Sequence, residues 1–127
     1  MPLILLAIAV GGACGAVLRA LFDISMPGDP SLGLPWSTVT VNIIGSFLLG
    51  LLAGGLSTAW PAWLREGAHT GLLGGFTTYS ALALWGASTA LPVWAAVGTI
   101  AIVATAGVAV AYGGLATAST LRRRRPA

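Results

Sequence analysis

Uncharged polar side chains inside apolar stretches are the residues of this sequence best suited to chemistry. Thr38, Asn42 and Ser46 recur every four residues, so they form one stripe along a helix face. An asparagine on that stripe offers two N–H donors and a carbonyl, and it can therefore face an anion without a fixed positive charge. Each residue taken singly is also typical of hydrogen bonding between membrane helices. A continuous stripe is harder to attribute to packing alone.

A second polar cluster is the string Gly-Gly-Phe-Thr-Thr-Tyr-Ser at residues 74–80. Glycine favours other backbone conformations and threonine can bond its own turn, so this string weakens a helix. If a membrane helix breaks there, the freed N–H and C=O groups need protein, water or an ion as partners, and such breaks near the midplane hold ions. The alternative is close packing at the two glycines. Tyr79 adds a ring whose positive edge could contact an anion.

The groups that most enzymes use are scarce in the apolar stretches. Asp, Glu and Lys are missing from them, His69 stands alone near the start of the third stretch, and Cys14 is the one cysteine. Since a metal site of side chains needs three or four converging ligands, this composition cannot assemble one. The sequence therefore predicts that the protein is not an enzyme. We interpret His69 as an interfacial or helix-end residue and Cys14 as a small packing residue.

Membrane helices must position these polar groups. Only 7% of the 127 residues are charged and 57% are hydrophobic, with a mean hydropathy of +0.93, whereas soluble domains carry about a quarter charged residues. A spanning helix needs about 20 mostly apolar residues, and the uncharged runs have room for four. The sequence predicts one all-α integral membrane domain over residues 1–127. Its expected spans are 2–22, 37–56, 68–90 and 93–117, followed by a basic tail at 122–125.

Two further patterns bear on how these helices pack and connect. Ser46, Gly50 and Gly54 recur at four residues, which is the small-residue spacing that lets membrane helices approach closely. Proline and glycine at residues 25–31, and Pro61 within residues 57–67, predict loops between the first three spans.

The distribution of arginine predicts the orientation. With four spans, Arg65 and the four tail arginines share one side and Arg19 lies on the other, a ratio of five to one. Positive residues favour the cytoplasmic side, so we expect both termini in the cytoplasm. The tail could also attract anionic lipid. Nucleic acid is not an expected partner, because the chain has no other basic patch.

Three motifs in register resemble the Fluc (CrcB) family of fluoride channels. They are Gly11-Gly12 through Gly15-Ala16 to Arg19, residues 37–50, and residues 74–80. The resemblance implies a dual-topology antiparallel dimer of four-helix subunits, with the third helix broken in mid-membrane and two fluoride pores at the interface. It implies a structural sodium ion at the dimer centre. The implied activity is passive, fluoride-selective export across the bacterial cytoplasmic (inner) membrane, with fluoride and the lipid bilayer as partners.

The same resemblance assigns roles by position in this sequence. It implies that the sodium ion is held by the backbone carbonyls of Gly74 and Thr77. The implied fluoride pathway is lined by Asn42, Thr38, Tyr79, Ser80 and Leu82. Arg19 matches an arginine near the end of the first helix, where it either attracts anions toward a vestibule or anchors the helix at the interface.

The sequence departs from the family at several of these places. The family's second pore aromatic falls at Leu82, its acidic residue at Trp85, and its Ser/Thr pair on the fourth helix at Ala106 and Val110. The five-to-one arginine ratio also predicts insertion in a single orientation. The alternatives are therefore a subunit of an obligate heterodimer with an oppositely inserted homologue, or a non-conducting scaffold. A small multidrug transporter is disfavoured, because its exchange chemistry needs a membrane-embedded carboxylate.

Overall fold

The computed structural model describes residues 1–26 and 34–123, and regular secondary structure in those ranges is helical throughout. Three long helices dominate: α1 (Pro2–Ser25), α2 (Trp36–Leu51) and α6 (Val93–Arg123). Each is long and apolar enough to cross a membrane by length and composition, α2 together with the π-helical turn Leu52–Leu56 that continues it. Most of the first predicted loop, and Arg124 and Arg125 of the tail, lie outside the described residues.

The part of the chain expected to form the third span consists of shorter pieces. They are α3 (Ala62–Glu66), a π-helical stretch (Gly67–Leu73), α4 (Gly74–Phe76) and α5 (Ser80–Ser88). We refer to these pieces together as segment 62–88. Its helical part begins within the loop predicted over 57–67, since Pro61 is extended (φ −62°, ψ 149°) and can precede a helix without losing a hydrogen-bond donor.

The long helices and segment 62–88 form two pairs, and within each pair the chains run in the same direction. α1 packs along segment 62–88, with Gly11 beside Gly67 and Gly15 beside Phe76. α2 packs along α6, with Gly50 beside Ala111. The two pairs run in opposite directions, because the order of contacts between α2 and segment 62–88 is reversed: Asn42 meets Thr78, and Ser57 meets His69.

Small residues set the contact between α2 and α6. A Cβ atom on Gly50 would clash with the backbone of Ala111, and one on Gly54 would press on the side chain of Ala118. Ser46, one turn before Gly50, lies against Gly107 of α6. The close approach predicted from the spacing of Ser46, Gly50 and Gly54 is thus confirmed. Such contacts matter in a membrane, where association relies on van der Waals packing rather than on burial from water.

Two of the long helices continue past the apolar limits expected for their spans. α1 reaches Ser25, three residues beyond position 22, and α6 reaches Arg123, six beyond position 117. Charged residues can stay helical once they leave the apolar layer, and Arg122 and Arg123 complement the negative end of the α6 dipole. Among the described residues, Arg65 and Glu66 form an ion pair at 3.5 Å. Arg19 does not pair with Asp23, although both lie on one face of α1.

Candidate functional site

Segment 62–88 loses its helical hydrogen bonds between Gly74 and Ala83. The last helical bond before the gap runs from the Thr77 N–H to the Leu73 carbonyl at 3.0 Å, and the next from the Ala83 N–H to the Tyr79 carbonyl at 2.9 Å. Thr77 itself is extended, with φ −79° and ψ 151°. Residues 77–79 are therefore not helical, and the carbonyls of residues 74–77 receive no N–H from the following turn.

Asn42 of α2 satisfies the backbone at this interruption. Its Nδ2 donates to the Thr78 carbonyl at 2.7 Å, and the Thr78 N–H donates to its Oδ1 at 2.7 Å. Both backbone groups of Thr78 would otherwise be buried without partners, at a cost of about 1–3 kcal/mol each. Asn42 is 1% exposed, and its second Nδ2–H has no acceptor among the described residues. The Asn42 side chain therefore stabilises the interrupted backbone and still has one unused N–H donor among the described residues.

Hydroxyl groups close the other side of the interruption. The Oγ atoms of Thr78 and Ser80 lie 2.8 Å apart, and the Ala81 N–H points to Thr78 Oγ1 at 3.5 Å. Thr78 thus supports the first turn of α5 with its side chain while Asn42 holds its backbone. Ser80, a predicted pathway residue, is exposed and forms part of this hydroxyl pair.

Tyr79 lies on the surface of the chain, 46% exposed, with its hydroxyl directed at α6. A Cβ atom built on Gly107 would be 2.9 Å from Tyr79 Oη and 3.2 Å from Ser46 Oγ, so these groups converge. Tyr79 also borders a cavity of about 190 Å³. Its walls are Gly45, Ser46, Leu49, His69, Leu73, Gly74, Thr77 and Tyr79.

The two residues predicted to bind sodium through their carbonyls both border this cavity. Gly74 is exposed, and nothing lies within 4 Å of the position that a Cβ atom would take. The side-chain hydroxyl of Thr77 donates to the Leu73 carbonyl at 2.9 Å, which leaves the Thr77 carbonyl as its free polar group. Carbonyl oxygens are the ligand type that hard cations prefer. Gly74 and Thr77 therefore both border the cavity, and each has a backbone carbonyl of the suitable ligand type.

The remaining predicted site residues are placed differently. Thr38, one turn before Asn42, is buried at 5% exposure, and Leu82 is completely buried at 0%. The Leu82 side chain is therefore completely covered by other residues of this chain. Arg19 is half-buried on α1, does not border the cavity, and makes no hydrogen bond or ion pair with any described residue.

A polar bridge beside the cavity could not be predicted from the sequence. The Ser57 hydroxyl donates to the Leu52 carbonyl at 3.0 Å and lies 3.1 Å from Nε2 of His69. When the hydroxyl hydrogen points to Leu52, a His69 ring protonated at Nε2 donates to Ser57. Ser57 is 2% exposed. The bridge joins Ser57, the residue after one π-helical stretch, to His69 inside the other. Neither residue belongs to a motif whose spacing would have linked them.

Known proteins match this chain over most of its length. The family model for the CrcB-like protein, Camphor Resistance (CrcB), matches residues 6–118. A relative named fluoride-specific ion channel FluC, from Bordetella bronchiseptica, is 43% identical over 81 residues, which cover 62% of this chain. FluC 2 of Nocardia farcinica is 46% identical over 85 residues, or 65% of this chain, and FluC of Rhodospirillum centenum is 45% identical over 82 residues, or 63%.

The matched stretch spans 61%, 60% and 65% of the length of these three relatives, respectively. It is the family model that extends over nearly the whole chain, including the polar stripe of α2, the interruption at residues 77–79 and most of α6. On this evidence the chain belongs to the CrcB-like family.

Proposed function

We propose that this chain is a subunit of a fluoride-selective channel that lets fluoride leave the cell passively across the bacterial cytoplasmic membrane. In this proposal segment 62–88 crosses the membrane as a fourth, interrupted span, and both termini lie in the cytoplasm. Two subunits pack antiparallel, with a structural sodium ion between them. The names of the relatives support the ion and the channel activity, and the geometry around Asn42 supports the location of the pathway.

The observation that carries the proposal is the hydrogen bonding of Asn42. Its bonds to Thr78 hold an interrupted backbone in place, and its second Nδ2–H remains available for a ligand. Fluoride is a small, strongly hydrated anion, so a pathway must replace its water with several aligned donors. A fixed cation would hold the ion too firmly, since conduction needs sites that the ion can leave. The Asn42 amide, the neighbouring hydroxyls and the Tyr79 ring edge are all neutral and meet this requirement.

The residues proposed to hold sodium fit a hard monovalent cation. The carbonyls of Gly74 and Thr77 lie in the stretch that helical N–H groups do not reach. A bound sodium ion would supply a fixed positive charge that keeps these carbonyls turned toward one another across two subunits. Two carbonyls from one chain make an incomplete coordination shell, so a second subunit is needed to complete it. The openness of the surface at Gly74 is consistent with such a partner.

A heterodimer is the favoured form of the assembly. Arg122 contacts Gly55 at the same end of the molecule as Arg65, near the start of segment 62–88. Arg19 lies toward the opposite end, in the C-terminal part of α1. This one-sided distribution favours a single orientation of insertion. Leu82, at the position of the second pore aromatic, is also fully buried. An oppositely inserted homologue would supply both the inverted subunit and the aromatic ring.

Ion flux from liposomes tests the proposal. The purified chain is reconstituted alone, and separately with a co-expressed homologous subunit, into liposomes loaded with potassium fluoride. Efflux is followed with a fluoride electrode after valinomycin releases the potassium, and liposomes without protein correct for the passage of hydrogen fluoride through lipid. We expect rapid fluoride efflux with the co-expressed pair. From liposomes loaded with potassium chloride instead, followed with a chloride electrode, we expect no chloride efflux above background.

The outcomes separate the three readings. Efflux from the chain alone would establish a homodimeric channel and remove the need for a partner. Efflux that requires the homologue would establish the heterodimer. If neither preparation releases fluoride, although both are folded and inserted, the channel proposal is wrong and a scaffold role replaces it.

A further inference from the structure

The last turn of α6 packs against Gly55, in the π-helical turn that follows α2. Gly55 has φ +109°, a backbone conformation that residues with a side chain rarely adopt. A Cβ atom at this position would collide with the side chain of Arg122, whose Cδ and guanidinium group occupy that space. Because Gly55 has no side chain, the Arg122 side chain can pack directly against it, just beyond the end of α2.

A cavity of about 340 Å³ opens beside this contact. It is bordered by Gly54, Ser119, Arg122 and Arg123. Neither arginine forms an ion pair or hydrogen bond with a described residue, and the Ser119 hydroxyl already donates to the Ala116 carbonyl at 2.7 Å. Within residues 1–26 and 34–123, the cavity therefore has two guanidinium groups without an ion-pair partner, and a guanidinium group matches the geometry of a phosphate.

An apolar groove of about 280 Å³ lies along the same helix pair. It is bordered by Leu49, Gly50, Ala53, Val108, Ala111, Tyr112 and Leu115. Val108, Tyr112, Leu115, Ser119 and Arg122 follow one another at steps of three and four residues, so the groove and the charged cavity share one face of α6. The groove lies within the predicted span and the cavity beyond its end at residue 117. This order, apolar and then cationic, matches the acyl chain and headgroup of a phospholipid.

We propose that Arg122 and Arg123 bind the phosphate of an anionic phospholipid whose acyl chain lies in the groove between α2 and α6. A free phosphate ion would use the arginines and leave the groove unused. A zwitterionic phospholipid carries the same phosphate, but the cation of its headgroup offsets the attraction of the two arginines. The site goes beyond the proposed function, since it does not involve the ion pathway, and lipid binding can be measured whether or not the protein conducts.

The test measures lipid binding to the purified full-length chain in detergent. The probes are phosphatidylglycerol, phosphatidylcholine and inorganic phosphate, and native mass spectrometry counts the bound lipids. We expect phosphatidylglycerol to bind more tightly than phosphatidylcholine, and Arg122→Gln and Arg123→Gln each to weaken it about fivefold, the effect of about 1 kcal/mol per basic residue near a membrane surface. Arg65→Gln is the matched control, because Arg65 is already paired with Glu66.

Three results would overturn the site. They are equal affinity for the two lipids, an equal loss of affinity in Arg65→Gln, and inorganic phosphate that displaces phosphatidylglycerol at similar concentrations. If the Arg122 variant does not fold, Arg123→Gln and the charge-preserving Arg122→Lys decide the question. The first should weaken phosphatidylglycerol binding about fivefold. The second should weaken it by less than that, because lysine keeps the charge but loses the bidentate geometry of the guanidinium group.

Discussion

The two sides of α2 hold the molecule together in different ways. Toward α6, Gly50 and Gly54 bring two backbones into direct contact, and no hydrogen bond between described side chains is involved. Toward segment 62–88, Asn42 makes two hydrogen bonds of 2.7 Å to a backbone that has left the helix. One side relies on shape and the other on polar complementarity.

On the proposed function, this difference separates residues that act on folding from residues that act on ion flux within a single helix. Close packing at Gly50 and Gly54 tolerates no added atom, and these two glycines have no side-chain group that could bind an ion. The polar side contains the unpaired carbonyls, the hydroxyls and the spare amide hydrogen, and it is held by one residue. We therefore expect changes on the α6 side to act on stability, and changes at Asn42 to act on ion flux as well.

The largest expected loss of stability comes from Gly50→Ala. The new Cβ atom would collide with the backbone of Ala111, which cannot move aside as a flexible side chain would. We expect the free energy of unfolding to fall by about 3 kcal/mol. Reversible unfolding by sodium dodecyl sulfate in mixed micelles measures this change.

Gly113→Ala is the matched control for that substitution. It adds the same methyl group to a glycine of α6 that has nothing within 4 Å of its Cβ position. We expect it to be neutral or to stabilise by up to about 1 kcal/mol through helix propensity. Equal effects of the two alanines would show that close packing at Gly50 does not distinguish this side of α2.

Asn42→Ala should have the next largest effect on stability. It leaves the Thr78 N–H and carbonyl without partners in an apolar environment, and we expect a loss of about 2 kcal/mol. Thr105→Val serves as the control, because the Thr105 hydroxyl bonds only its own helix at Ala101. A loss in Asn42→Ala no larger than in the control would mean that the two bonds contribute nothing to the fold.

Leu82→Phe tests whether a second aromatic ring can be accommodated in this chain. Leu82 is completely buried, so a larger side chain must displace its neighbours, and we expect a loss of about 1–2 kcal/mol. Leu84→Phe, at a position 72% exposed on the same helix, should change stability by less than about 0.5 kcal/mol. If Leu82→Phe were as harmless as Leu84→Phe, the argument that the ring must come from a partner would fail.

Tyr79→Phe should have the smallest effect. The substitution keeps the ring and removes the hydroxyl that lies beside Gly107 and Ser46. Because the ring edge is the group that we propose faces fluoride, we expect fluoride efflux to remain at the wild-type rate and stability to change by less than about 0.5 kcal/mol. A clear loss of efflux with unchanged stability would assign the donor role to the hydroxyl instead.

The sequence allowed the packing side of α2 to be predicted better than the polar side. The spacing of Ser46, Gly50 and Gly54 specifies a contact surface that any close helix can fill, and α6 fills it. The stripe that contains Asn42 specifies a face but not a partner. Nothing in the spacing indicated that Asn42 uses its carbonyl and one N–H on Thr78, because that pairing depends on where another segment is interrupted.

Other features depend on the tertiary structure in the same way. The Ser57–His69 bridge depends on two π-helical stretches, one that ends just before Ser57 and one that contains His69, and no propensity scale predicts such stretches. The contact between Arg122 and Gly55 joins residues that are far apart in the chain. Leu82 could be aligned with a pore position, but its complete burial depends on how α5 packs.

The central claim is that the polar side of α2, through Asn42, forms part of the fluoride pathway. The most direct test compares fluoride efflux from liposomes that contain equal amounts of folded wild type, Asn42→Ala and Thr105→Val, each in the subunit combination that conducts. Our account predicts that Asn42→Ala abolishes efflux and that Thr105→Val retains it. Wild-type efflux from folded Asn42→Ala would contradict the account.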